Sequence, residues 1–176
     1  MKRTILTFGL ISGAVSALMM GVTMAIANRI GLDRGAYVGY ATIVLSCLFI
    51  YFGVRSYREN FSGGAITFAR AFAVGLAIGV ISCLCYVVAW EIIYYNFMPD
   101  FFDKYSAHEI AKLKASGASA AILQHQIDSM NQMKQLYANP LYNAALTFIE
   151  PFPVALLVTL ISAVVLRKKA GVQAVA

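Results

Sequence analysis

Four long apolar runs organise this chain: Ile5 to Ala27, Ala36 to Val54, Ala65 to Tyr95 and Tyr142 to Leu166. A helix rises about 1.5 Å per residue, so about 20 apolar residues cross a hydrocarbon core about 30 Å thick. Each run is long enough to do so. The third outruns the core as a single helix, which places its first turns at the interface, with Arg70 snorkelling towards lipid phosphate. The pattern predicts an all-α fold: a polytopic membrane protein with one membrane domain over residues 1–176. Its four transmembrane helices are expected at about 5–27, 36–54, 65–95 and 142–166.

The breaks between runs are polar. Asn28 to Gly35 holds Arg29, Asp33, Arg34 and two glycines and reads as a short loop; Arg55 to Asn60 followed by Gly63-Gly64 reads as a turn. The segment 98–140 is the one long polar stretch and predicts an extracytoplasmic helical hairpin inserted between the third and fourth crossings. Ser106 and Glu109 have capping-box spacing, which predicts a helix from there to Ser116, ended by Gly117. Ser119 then caps a second helix to Tyr137, with Leu123, Ile127, Met130 and Tyr137 on one side, and Asn139-Pro140 reads as a cap with proline at the first helical position.

Small residues recur at every fourth position within two runs. Gly9, Gly13, Ala17, Gly21 and Ala25 form one ladder, and Ala71, Gly75, Gly79 and Cys83 form another. Such a face lets a neighbouring backbone approach closely, so the two ladders are expected to pack on each other or across an oligomer interface.

Composition strengthens the membrane reading: 60% of residues are hydrophobic and 12% charged, about half the charged share of soluble domains. The net charge of +6 is spread over loops and ends rather than gathered on one surface, which argues against nucleic acid. It has a topological reading instead. With four crossings, Lys2, Arg3, Arg55, Arg58, Arg70, Arg167, Lys168 and Lys169 share a side against Glu59 alone, while charges on the other side nearly balance. The positive-inside rule then puts both termini in the cytoplasm. Lys2-Arg3 before an apolar run ending in Ala25-Ile26-Ala27 mimics a signal peptide, but that run exceeds an h-region of about 7–15 residues and is expected to be retained. Cys47, Cys83 and Cys85 all lie in apolar runs, so neither a disulfide framework nor a zinc site is indicated.

The candidate chemistry is sparse. There is no P-loop, G-x-S-x-G or H-E-x-x-H pattern, so no enzyme is expected. His108 and His125 read as solvated, with no metal and no cofactor. The unusual feature is Glu150-Pro151-Phe152-Pro153, a carboxylate and two kink-forming prolines within the last apolar run. A charge there costs about 2.5–3.5 kcal/mol on insertion scales, and each proline removes a helix hydrogen bond. Asn143, Thr147 and Glu150 fall on one face, Glu91 lies in the same outer half, and Ser12, Ser16, Thr42 and Ser46 extend a candidate polar seam. A neutral glutamate there can bond to a carbonyl freed by Pro151 or Pro153, or hold and pass a proton.

Several stretches carry a resemblance: Gly63-Gly64-Ala65-Ile66-Thr67-Phe68-Ala69-Arg70-Ala71-Phe72, Leu113 to Ser119, Asn139-Pro140-Leu141 and Glu150-Pro151-Phe152-Pro153-Val154. Across nearly its whole length the chain resembles the bacterial membrane family catalogued as domain of unknown function forty-one ninety-nine. The resemblance implies a four-helix, multi-pass inner-membrane protein with no assigned activity and no catalytic residues to carry over. The expected function is non-catalytic assembly or interaction in the lipid bilayer, with a second copy or a membrane-protein partner. The alternative is a proton- or solute-coupled carrier using Glu91 and Glu150.

Overall fold

The computed structural model describes residues 1–168, with Ala27, Asn28 and Ile30 described by backbone alone; Lys169 of the basic tail lies outside the described residues. Within them the chain forms seven α-helices: α1 (Lys2–Ile30), α2 (Leu32–Phe61), α3 (Phe68–Phe97), α4 (Phe101–Ala115), α5 (Ala120–Tyr137), α6 (Pro140–Ile149) and α7 (Phe152–Leu166). Four segments are long and apolar enough to cross a membrane: Lys2–Ile26, Leu32–Phe61, Phe68–Phe97 and Pro140–Leu166. The protein is therefore an all-α, multi-pass membrane protein, and α4 and α5 form the hairpin between the third and fourth crossings.

Local chemistry explains several boundaries. Thr67, Ser119 and Asn139 cap α3, α5 and α6 by accepting from the amides of Arg70, Ile122 and Leu141. Gly117 adopts φ +76° after α4, and Ala118 N–H reaches back to Leu113 O at 3.5 Å, closing the helix in a Schellman-type turn.

Other expected boundaries are corrected. The loop expected over Asn28 to Gly35 shrinks to Gly31, whose φ of +84° suits glycine; Asp33 enters the first turn of α2, where a carboxylate complements the helix dipole. The second helix continues past Val54 to Phe61, where Arg55 and Glu59 form an i,i+4 pair at 2.9 Å. The capping box at Ser106 and Glu109 is not used. Instead α4 starts at Phe101, because Phe101 and Phe102 pack edge-on to Trp90 and obliquely on Tyr137, and this burial outweighs a local cap. Ala65 and Ile66 do not join α3; Ile66 pairs with Lys168 through two backbone hydrogen bonds of 2.9 Å. Arg70 donates to the Tyr57 hydroxyl at 3.2 Å.

In the bundle, α2 and α3 fill the middle while α1 and α7 flank them. A core of Ile43, Cys47, Ile50, Val54, Ala71, Val74, Ile78, Ala155 and Ala163 occupies the half away from the hairpin. Next to it, Ser12 Oγ donates to Ser46 O and meets Ser82 Oγ, both at 2.8 Å, joining three helices.

The small-residue ladders do not meet each other. A Cβ on Gly9 would lie 2.8 Å from Ile81, and one on Gly13 2.5 Å from Cys85 Cβ, so these two glycines seat α1 on bulky residues of α3. Gly75 and Gly79 face Thr159 and Ala155 of α7 and also Ile50 of α2; Ala71 is fully buried. Ala17 is half-buried, and Gly21 has open space around it. The reason is register: α3 turns its smooth face to α7 and its bulky face to the groove of α1. Gly13→Leu and Gly75→Leu should each lower unfolding free energy in detergent by about 1–3 kcal/mol through overpacking. Gly21→Leu should change it by less than about 0.5 kcal/mol, and equal losses at all three positions would contradict this packing.

Candidate functional site

The last crossing is interrupted at Glu150-Pro151. Without N–H groups, Pro151 and Pro153 leave the carbonyls of Thr147 and Ile149 without their usual donors, so α6 stops at Ile149 and α7 resumes at Phe152. Glu150 sits in the break, its N–H still reaching Leu146 O at 3.3 Å. Its side chain does not turn back to the freed carbonyls. Oε2 instead accepts from the Tyr86 hydroxyl of α3 at 3.1 Å.

Up the same face of α6, Thr147 and Asn143 are buried. Asn143 Oδ1 accepts from Thr147 Oγ1 at 3.2 Å and from Trp90 Nε1 at 3.1 Å. The same indole N–H reaches the Tyr137 hydroxyl at 3.0 Å. Tyr137 ends α5, so Trp90 joins α3 both to the broken crossing and to the hairpin. Rings of Phe101, Phe102 and Tyr94 close around this point, with Trp90–Phe101 centroids 5.0 Å apart and Tyr94–Tyr137 5.4 Å apart. Burial pushes the Tyr105 and Tyr137 phenols above their ordinary pKa range, so both are neutral hydroxyls at physiological pH.

A second tether fixes the other end of the hairpin. Asp33 Oδ1 accepts from Lys112 Nζ at 2.9 Å and lies 3.5 Å from His108 Nε2. The hydrogen bond to Asp33 raises the Lys112 pKa, although so exposed a pair contributes little by itself. His108 is half-buried, with its Nε2 shut from solvent on the side facing Asp33. Asp33, His108 and Glu109 bring one ligand atom each within 4.8 Å of one another, but Lys112 already supplies the positive charge opposite Asp33.

Between the tethers and the bundle lies a cleft of about 680 Å³. Met20 and Thr23 of α1, Gly39 and Tyr40 of α2, Tyr86 and Trp90 of α3, and Leu146, Thr147 and Glu150 of the last crossing line it. The hairpin contributes Phe101, Tyr105, Glu109 and Tyr137.

The structure thus gathers Glu150 and Thr147 on one wall with Asn143 buried behind them. It leaves Glu91 outside: that side chain does not line the cleft, and its Oε1 is buried without a partner. The expected continuous seam divides in two. Ser16 and Thr42 bond back to Gly13 O and Gly39 O, and among the described residues no hydrogen bond links the Ser12–Ser46–Ser82 contact to Asn143, Thr147 or Glu150. Sequence reasoning missed Tyr86, Ser82 and Asp33. Tyr86 carries a usable signal, since it lies four residues before Trp90 and shares its helix face.

In comparisons with known proteins, the family model described as "Protein of unknown function (DUF4199)" matches residues 7–168. No curated protein and no solved structure matches the chain.

Trp90→Phe keeps an aromatic ring but is smaller and removes the N–H shared by Tyr137 and Asn143, leaving Asn143 Oδ1 with Thr147 alone. It should destabilise the fold by about 1–3 kcal/mol through the lost bridge and lost packing, and should speed proteolysis between Ala115 and Ala120 by loosening the hairpin. Unchanged thermal unfolding and cleavage would show that the hairpin is held by other contacts.

Proposed function

We infer that this chain, which belongs to the DUF4199 family of proteins of unknown function, is a non-catalytic multi-pass membrane protein that holds a small solute in the cleft beneath its hairpin. The observation that carries this reading is Glu150. An acid placed within an apolar crossing lines a cleft of about 680 Å³ and has the Tyr86 hydroxyl as its sole partner among the described residues. Ligand pockets commonly measure about 300–1,000 Å³ and combine apolar walls with a few placed polar groups.

The assembly reading drew on the glycine ladders, and Gly9, Gly13, Gly75 and Gly79 are occupied within the fold. Its support is correspondingly reduced. The buried core closes the bundle on the far side of the Ser12–Ser46–Ser82 contact, which favours holding a solute over passing it. We place the protein in the inner membrane with the hairpin outside the cytoplasm, because Arg55, Arg58, Arg70 and Lys168 gather at the opposite end.

Gly39 provides the test, since it lines the cleft and a Cβ there meets nothing within 4 Å. Native mass spectrometry of protein released from its own membrane in mild detergent should find a small molecule bound one per chain. Gly39→Trp, which projects a bulky ring into the cleft, should remove it. Identical spectra for the two proteins would contradict the reading.

A further inference from the structure

The charge and ring content of the cleft go further than its volume. Three carboxylates line it, from Asp33, Glu109 and Glu150, and no lysine, arginine or histidine does so among the described residues. Asp33 is already matched by Lys112 just outside. Glu109 has no hydrogen-bond or ion-pair partner among the described residues, and Glu150 has only the neutral Tyr86 hydroxyl. Two acids therefore line the same cleft without an ion-pair partner among the described residues, one on the hairpin next to His108 and one at the helix break.

The remaining wall is unusually aromatic. Tyr40, Tyr86, Trp90, Phe101, Tyr105 and Tyr137 all line the cleft. Ring faces attract cations, most strongly when these are desolvated and weakly hydrated, as alkylated ammonium groups are. A small inorganic cation would gain little from these rings and would forfeit its hydration shell. An anion would meet three carboxylates, of which only Asp33 is ion-paired. A neutral apolar solute would leave both acids without a counter-charge.

We propose that the cleft binds an organic ammonium ion with an apolar body, its charge between Glu109 and Glu150 and its body against the Tyr86–Trp90 wall. This rests on the cleft-binding reading above and names its ligand class. The same chemistry can come from a free amine or from the ethanolamine head of a lipid.

Trp90 is the only tryptophan and lines the cleft, so its fluorescence reports occupancy directly. The protein in phosphatidylglycerol nanodiscs is titrated with benzyltrimethylammonium, with its uncharged carbon isostere neopentylbenzene, and with phenylacetate. The expected result is a saturable fluorescence change for the cation alone. Glu150→Gln, which can keep the Tyr86 bond, and Glu109→Gln should each weaken it about tenfold, and Gly39→Phe, which obstructs the cleft without adding a second tryptophan, should abolish it. Replacing half the lipid by phosphatidylethanolamine separates the sources: a weakened titration identifies the lipid head as occupant, and an unchanged one a free amine.

Equal binding of the neutral isostere, blocked by Gly39→Phe, would overturn the ammonium assignment while leaving the cleft-binding reading intact. Binding of the cation that is indifferent to Gly39→Phe, or no saturable response to any probe, would overturn both.

Discussion

The structure depends on bracing a helix broken inside an apolar crossing. Two prolines within three residues deprive the carbonyls of Thr147 and Ile149 of their donors, and a glutamate stands beside them. In hydrocarbon such a break is tolerated where it is buried in protein or lines a cavity. Here α3 supplies both conditions. Trp90 holds Asn143 on the near side of the break, and Tyr86 takes Glu150 within it. The contacts are Coulombically modest, yet leaving any of these polar atoms unpaired at that depth costs more than the bond itself returns.

From this brace the remaining features follow. Because Trp90 also reaches Tyr137, the hairpin is seated by the residue that anchors α6, and the aromatic rings around it exclude solvent from both. Because the crossing is interrupted, the α6 segment and the hairpin frame a space that a straight, fully packed four-helix bundle would fill with side chains. The cleft is therefore the counterpart of the break. Its two unmatched acids and aromatic wall set the proposed ligand class.

Much of the fold was legible in the sequence. Run lengths gave the four crossings, and the caps expected at Ser119 and Asn139 open α5 and α6, while Thr67, expected inside the third run, caps α3 instead. What local patterns left hidden was decided by tertiary contact. The Ser106–Glu109 spacing is a valid cap signal, but Phe101 and Phe102 extend the helix upstream because Trp90 and Tyr137 bury them. Gly75 and Gly79 carry a close-packing signal, but a stripe of small residues does not name its partner, and only the register of α3 against α7 does. The odd status of Glu150 could be read from its surroundings. Its partner Tyr86 lies 64 positions away, a separation that periodicity along one helix cannot reach. Likewise Asp33 read as part of a loop until α2 carried it to His108 and Lys112.

The central claim is that a cleft open to small molecules reaches Glu150 within the membrane-spanning bundle. Thiol accessibility tests this most directly, in a chain whose Cys47, Cys83 and Cys85 are replaced by alanine. Leu146→Cys lies on the cleft wall, whereas Ile149→Cys, on the same helix, is 60% exposed on the protein surface and off the cleft. A positively charged, water-soluble methanethiosulfonate reagent should modify the cysteine at 146 and spare the one at 149, which faces lipid. Protection at 146, or equal modification at both positions, would contradict the account.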